Sequence, residues 1–322
     1  MNYTSLGRTG LKVSRVCLGT MNFGPFTPEN ESHALMDRAL DLGINFYDTA
    51  DVYGRKKGEG VTENIMGRWF ATGGDRREKT VLATKVYGEM GEWPNTSKHS
   101  ALHIRRACEA SLKRLQTDYI DLYQMHHIDR NTPTDEILQA FETLVTQGKV
   151  LYVGSSNFAG WHIARFNEIS KQRHFLGLVS EQCKYSLLDR MVEMDVLPAC
   201  ESYGLGVVPW SPLAGGLLGG VLQGPTEGRR AGILEKDQFK QNREKIERWE
   251  ALCKELRQLP AVVALAWTLH NKTVTAPIIG PRTIQQLEET IPATELKLDE
   301  ATLKRLDEIF PPFKPSPEHF AW

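Results

Sequence analysis

A chain of 322 residues, 41% hydrophobic and 25% charged, suits one large α/β domain or two average ones with a full apolar core. Its 39 Lys and Arg balance 40 Asp and Glu to a net charge of −1, which argues against a nucleic-acid surface or an anionic-membrane surface. The 5 cysteines are scattered without a C-x-x-C, as expected for reduced thiols of a cytoplasmic protein, and neither a signal peptide nor a membrane-spanning run is expected.

Residues 2–15 read as a hairpin around Gly7-Arg8-Thr9-Gly10, suited to cover one end of a larger fold. An alternation then sets in. Strands are expected at 16–20, 44–47, 80–85, 119–126, 150–154, 178–182, 205–210 and 273–277. Helices are expected at 29–42, 62–70, 100–115, 134–146, 161–170 and 195–203, then at 245–257, 262–270 and 284–290. Eight strands, each followed by helix, predict a parallel sheet with right-handed crossovers, closed into a (β/α)8 TIM barrel. The alternative, an open doubly wound sheet, calls for G-x-G-x-x-G after the first strand. The turn Gly19-Thr20-Met21-Asn22-Phe23-Gly24 spaces its glycines differently. One barrel domain spanning 1–322 is therefore expected. Residues 219–245 interrupt the rhythm with glycine and charge. They read as a lid over a cofactor, or alternatively as a disordered insertion. The prolines at 311, 312, 315 and 317 predict an extended tail over 311–322, with Phe320 and Trp322 near the rim.

Barrel sites form where several strands end together. The polar residues at these strand ends are Asp48, Lys85, His126, Ser155-Ser156-Asn157, Gln182 and Trp210-Ser211, with Tyr53 in the loop after Asp48. Taken singly each is ordinary: Asp48 could cap a helix, Tyr53 could be structural, Lys85 could be a solvated charge. Together they describe a proton-donating site for a carbonyl. A phenol titrates near a pKa of about 10, too high for an easy donor. A lysine about 4 Å away attracts a phenolate by roughly 4 kcal/mol at an effective dielectric near 20. That could lower the phenol by up to about three pH units before desolvation opposes it. Asp48 would anchor Lys85, and His126 would hydrogen-bond the substrate oxygen or Tyr53. His126 and His127, as strand neighbours, are expected to face opposite ways, which disfavours a shared metal site.

Motifs along nearly the whole chain carry a resemblance. They are Leu6-Gly7-Arg8-Thr9-Gly10-Leu11-Lys12-Val13-Ser14, Gly43-Ile44-Asn45-Phe46-Tyr47-Asp48-Thr49-Ala50 with Tyr53-Gly54, and Ala83-Thr84-Lys85. Asp121-Leu122-Tyr123-Gln124-Met125-His126, Gly154-Ser155-Ser156-Asn157-Phe158, Trp210-Ser211-Pro212-Leu213 and Ile278-Ile279-Gly280 continue the series. The chain resembles the aldo-keto reductases, in the group that includes bacterial reductases and the voltage-gated potassium-channel β subunits. The resemblance implies a catalytic tetrad of Asp48, Tyr53, Lys85 and His126, with Tyr53 the general acid in reduction and the base in oxidation. It implies a nicotinamide cofactor bound extended, without a Rossmann domain. Ser156, Asn157 and Gln182 would hold the carboxamide, Trp210 would stack on the ring, and Gly19, Thr20 and Met21 would join the seat. Ser211, Leu213, Gly215 and Gly216 would line the pyrophosphate path. Gly280, Arg282, Gln286 and Glu289 would hold the adenosine end. Arg282 suits a 2′-phosphate, which favours NADPH over NADH. Thr290 stands where the family commonly has Asn. The substrate pocket of a reductase of small-molecule aldehydes or ketones would include Phe23, Tyr53, and Tyr87 or Trp93, with the 219–232 loop above it, and such aromatic walls suit bulky or apolar carbonyls. Two other functions fit the same resemblance: a nucleotide-linked keto-sugar reductase of natural-product biosynthesis using Arg229 and Arg230, and a cofactor-sensing regulatory subunit. The oligomeric state is not legible in the sequence.

Overall fold

The computed structural model describes residues 1–223 and 232–321. Two short strands, β1 (Tyr3–Ser5) and β2 (Lys12–Ser14), pair antiparallel with Tyr3 opposite Ser14. Eight parallel strands follow. They are β3 (Cys17–Gly19), β4 (Phe46–Asp48), β5 (Val81–Val86), β6 (Ile120–Met125), β7 (Val150–Ser156), β8 (Leu178–Gln182), β9 (Gly206–Val207) and β10 (Ile278–Ile279). Neighbours in sequence are neighbours in the sheet, and β10 lies beside β3. The segment leading to β10 bonds back to β9 and its exit: Val207 N donates to Thr273 O at 3.1 Å, Thr275 N to Val207 O at 2.8 Å and Ile278 N to Pro209 O at 2.8 Å. The sheet thus curls into the expected (β/α)8 barrel.

The helices are α1 (Glu29–Asp41), α2 (Val61–Ala71), α3 (Ala101–Leu115), α4 (Thr134–Thr146), α5 (Gly160–Gln172) and α6 (Val196–Tyr203). After the long loop come α7 (Asp237–Glu255), α8 (Pro260–His270), α9 (Ile284–Thr290), α10 (Glu300–Ile309) and α11 (Glu318–Ala321). Helix α3 shows how sequence sets such an element. Ser100 caps it by accepting from His103 N, and Gln116 ends it in a left-handed conformation. Between those stops it buries Ile104, Ala107, Cys108, Ser111, Leu112 and Leu115, a stripe at helical spacing. Every residue of β5 and β6 is buried, as expected for parallel strands covered on both faces.

The barrel interior is packed by Cys17, Phe46, Val81, Ala83, Leu122, Val179, Val208 and Ala276, joined by Leu6 and Val13 from the hairpin. The hairpin therefore plugs the end where the strands begin. A side chain at Gly7 would meet Gly206 N at 2.5 Å, so only glycine allows this approach. The opposite end, where the strands finish, is left for a site.

Several boundaries differ from the sequence reading. The closing strand is 278–279 rather than 273–277, because residues 273–275 bond to β9 while Ile278 and Ile279 pair with Cys17 and Leu18. Helix α7 begins at Asp237, which turns the last part of the expected 219–245 loop into helix. Its first two turns are mostly polar and carry no apolar stripe to read. Part of the expected lid, with Arg229 and Arg230, falls in 224–231, outside the described residues. Helix α10, capped by Asp299, was not anticipated. The tail is extended over its prolines but ends in α11. Phe313 N donates to Glu193 Oε2 and Ser316 N to Met194 O, which pins the tail to the loop after β8. Phe320 is 71% exposed rather than packed, and Trp322 lies outside the described residues.

Candidate active site

Strand β4 ends on Asp48, and β5 presents Lys85 beside it. Both side chains are buried. Lys85 Nζ donates to Asp48 Oδ2 at 2.7 Å, to the Thr49 carbonyl at 2.8 Å and to the Tyr53 hydroxyl at 3.1 Å. The other oxygen of Asp48 accepts from Gln182 Nε2 at 2.8 Å and Gln124 Nε2 at 3.2 Å. This carboxylate is therefore fully engaged, and it fixes the ammonium under the phenol. The His126 ring stands edge-on to Tyr53, centroids 5.9 Å apart. The structure thus brings Asp48, Tyr53, Lys85 and His126 into one cluster at the finishing end of the strands.

The electrostatics of the cluster are set by burial and one cation. Burial pushes the Tyr53 phenol up, Lys85 pulls it back down, and the net displacement is upward. The lowering expected from Lys85 alone is thus outweighed by desolvation. Burial alone would lower Lys85, but Asp48 and Tyr53 hold it above the ordinary lysine range. Burial, then Lys85 and the neighbouring His127 and His99, hold His126 well below 6.5, so it is a neutral imidazole. His126 and His127 lie past the end of β6. Strand alternation no longer applies there, and their rings stack at 4.9 Å with 5° between planes instead of facing apart.

A cleft of about 560 Å³ opens above the cluster. Every residue that the resemblance assigns to the cofactor lines it, from Gly19, Thr20 and Met21 through Ser156, Asn157, Gln182, Trp210, Ser211, Leu213, Gly215 and Gly216 to Gly280, Arg282, Gln286 and Glu289. Asp48, Tyr53 and His126 reach its floor, while Lys85 lies beneath it. Its seat is pre-shaped. Asn157 takes a left-handed backbone, φ 58°, and its Oδ1 accepts from the Trp210 indole N–H at 3.0 Å. Ser211, Ala214, Gly215 and Gly216 all have positive φ, so the chain curls along the middle of the cleft. A side chain on Gly215 would project into open space there. A concave, largely apolar wall with a few placed polar groups is the chemistry that holds an extended nucleotide, and in these respects the residues fit one.

The aldo/keto reductase family model matches residues 15–310. The chain belongs to that family. It is 56% identical to an uncharacterized oxidoreductase, YrpG, of Bacillus subtilis over the full length of both chains. It is 35% identical, over 94% of its own length and 92% of the relative's, to a Schizosaccharomyces pombe protein that carries the name voltage-gated potassium channel subunit beta. It is 31% identical to a versiconal hemiacetal acetate reductase of Aspergillus parasiticus, over 97% of this chain and 98% of that one.

An aldo/keto reductase acts on small carbonyl compounds with a nicotinamide nucleotide, so the residues expected at the substrate end matter. Phe23 is fully buried in an apolar cluster with Leu35, Ile65 and Ile279, outside the cleft lining. Tyr87 packs against His99 and His127 and is not part of the cleft wall. Trp93 is 81% exposed on the following loop. Being aromatic in a strand-end loop did not distinguish a wall from a core residue or a surface one. Three contributors carry no role in the sequence reading: Gln124, the Thr49 carbonyl and Asn22. Gln124 was within reach, since it is the last polar residue of β6 and alternates with Asp121 and Tyr123 to face Asp48 inside the barrel. Asn22, which lines the cleft and donates to Gly280 O at 2.9 Å, had no such signal. No helix among the described residues is long and apolar enough to cross a membrane.

Proposed function

We propose that this reductase reduces aldehydes and ketones to alcohols with NADPH, and that Tyr53 is the acid. The observation that supports this most directly is the hydrogen-bonded chain Asp48–Lys85–Tyr53 at the floor of the cleft. The nicotinamide, when bound, supplies the hydride that reaches the carbonyl carbon. The chain's own residues handle the proton. Tyr53 donates its hydroxyl proton to the carbonyl oxygen as negative charge develops there. The phenolate left behind lies against the Lys85 ammonium, and Asp48 keeps that ammonium in place. Neutral His126 offers an N–H toward the same oxygen and adds no second positive charge beside Lys85. A raised phenol pKa keeps Tyr53 protonated and ready to donate across neutral pH. Ser156, Asn157 and Gln182 would orient the carboxamide and Trp210 the ring. Arg282 would meet a 2′-phosphate, which is the ground for NADPH over NADH. Five buried free cysteines agree with a reducing, cytoplasmic setting.

The test is Tyr53→Phe, assayed by NADPH absorbance with 4-nitrobenzaldehyde and a wider carbonyl panel. Nucleotide binding should stay within about threefold, and turnover should fall by about 10²-fold or more. Near-normal turnover would show that the proton comes from elsewhere. The similarity to a channel-subunit relative supports a second reading, a nucleotide-sensing regulator. Tight NADPH binding without turnover on the panel would favour it.

A further inference from the structure

The side chain behind the Ser156–Asn157 turn is Glu181. It precedes Gln182 on β8, and successive strand residues face opposite ways. Gln182 points into the barrel at Asp48, so Glu181 points out into the layer between strands and helices, where it is fully buried. Its Oε2 accepts from the Ser155 hydroxyl at 2.5 Å, and its Oε1 accepts from Phe158 N at 3.0 Å. These two donors bracket Ser156 and Asn157 in the chain. Asn157 has the left-handed backbone that a non-glycine residue keeps only when its surroundings hold it.

We propose that Glu181 is a positioning residue for nucleotide binding: a buried carboxyl that braces the turn carrying Ser156 and Asn157 and, through Asn157, the Trp210 indole. The inference rests on the nicotinamide reading of the cleft. The groups around the carboxyl leave it without a charged partner. Cys183, just past the end of β8, and Cys200 on α6 face it as buried thiols. His162 on α5 packs edge-on to Phe158, and Asp195 accepts from Gly160 N at the start of that helix. Among the described residues no lysine or arginine forms an ion pair with it. Burial accordingly pushes Glu181 up to about 8, against the smaller pull of its bonds to Ser155 and Phe158. At neutral pH the uncharged acid keeps the Phe158 N–H on Oε1, while the Oε2–Ser155 bond reverses: the acid's own O–H donates to Ser155 Oγ, and the Ser155 hydroxyl turns to Ser180 O at 3.4 Å. A glutamine reproduces that pattern and cannot ionise.

The experiment uses the full chain as wild type, Glu181→Gln and Glu181→Leu. NADPH binding is read by tryptophan fluorescence quenching at pH 7 and 9. Hydrogen exchange of the Phe158 amide is read without nucleotide and corrected for the intrinsic pH dependence. Glu181→Leu leaves the Phe158 N–H without its side-chain acceptor and the Ser155 hydroxyl with only the longer contact to Ser180 O at 3.4 Å. It should weaken NADPH binding about tenfold and speed the exchange. Glu181→Gln should restore both at pH 7. Ionisation of the wild-type carboxyl toward pH 9 favours conformations in which it reaches water, so wild-type binding should loosen and Glu181→Gln binding should not. A folded Glu181→Leu protein that binds NADPH within twofold of wild type overturns the proposal. If that variant does not fold, parallel pH profiles for wild type and Glu181→Gln overturn it instead. Wild type that shows no saturable quenching counts against the nicotinamide reading itself, and the Phe158 amide still reports on the brace.

Discussion

Replacing Lys85 by methionine removes the cation that bonds to Tyr53 while nearly keeping the buried stem. The ammonium lies 3.1 Å from the phenol oxygen. At an effective dielectric of about 20, a full phenolate there is stabilised by roughly 5 kcal/mol, opposed in part by desolvation. If about half of that charge has developed when the proton is in flight, roughly 2–3 kcal/mol of barrier returns, a loss of about 10²-fold in kcat. The same change leaves Asp48 buried with only the Gln124 and Gln182 amides as partners. Breaking such a pair from one side costs about 3–5 kcal/mol of stability. Two measurements separate the effects. Stopped-flow or steady-state NADPH oxidation gives kcat, and urea unfolding gives stability. The Asp48→Asn/Lys85→Met double variant should recover much of the stability and none of the rate. Refutation would be a Lys85→Met enzyme within threefold of wild-type kcat, or a double variant no more stable than the single.

With nucleotide saturating, kcat for reduction should be nearly flat with pH from about 6 to 9. His126 is held well below 6.5 and stays neutral throughout, while Tyr53 is displaced upward from about 10 and stays protonated. Because the folded Lys85 pKa is raised above 10.5, its stabilising contribution is complete below the unfolded value and is lost only as pH rises through the folded one. A kcat that halves between pH 6 and 8 with substrate and nucleotide saturating would contradict this assignment. Arg282→Ala should raise the Kd for NADPH about tenfold or more and leave NADH within about twofold, measured by titration. Equal losses for both nucleotides would remove the 2′-phosphate from its account.

The barrel was legible because each unit carries its own local signals. Glycine stops such as Gly43 and Gly148 follow amphipathic helices, and apolar runs such as 119–126 are followed by polar ends. Strand ends one unit apart then placed Asp48, Lys85 and His126 on one rim. What was not legible depends on tertiary burial or on distant pairing. Residues 273–275 and 278–279 divide their bonds between β9 and β3, a partition that no local pattern encodes. The direction of the Tyr53 shift follows from the desolvation of a half-buried phenol at the floor of the cleft, which the position of Lys85 in the sequence does not reveal. Phe23 and Trp93 look alike as aromatics in loops, yet one is sealed under α1 and α2 and the other stands in solvent. Glu181 follows Ser180 in a half-polar strand and carries no signal of burial; only the fold shows that its side of β8 faces the helix layer.

Asp48 has two oxygens with two clients. One holds the ammonium beneath the proton donor, and the other holds Gln182, the amide proposed to grip the nucleotide. On the proposed reading, acid strength and nucleotide grip are therefore not independent traits. A variant that loosens the carboxylate to retune one will be felt in the other, and changes of nucleotide preference are better sought at Arg282, at the far end of the cleft, where no bond runs back to this shared anchor among the hydrogen bonds of Asp48.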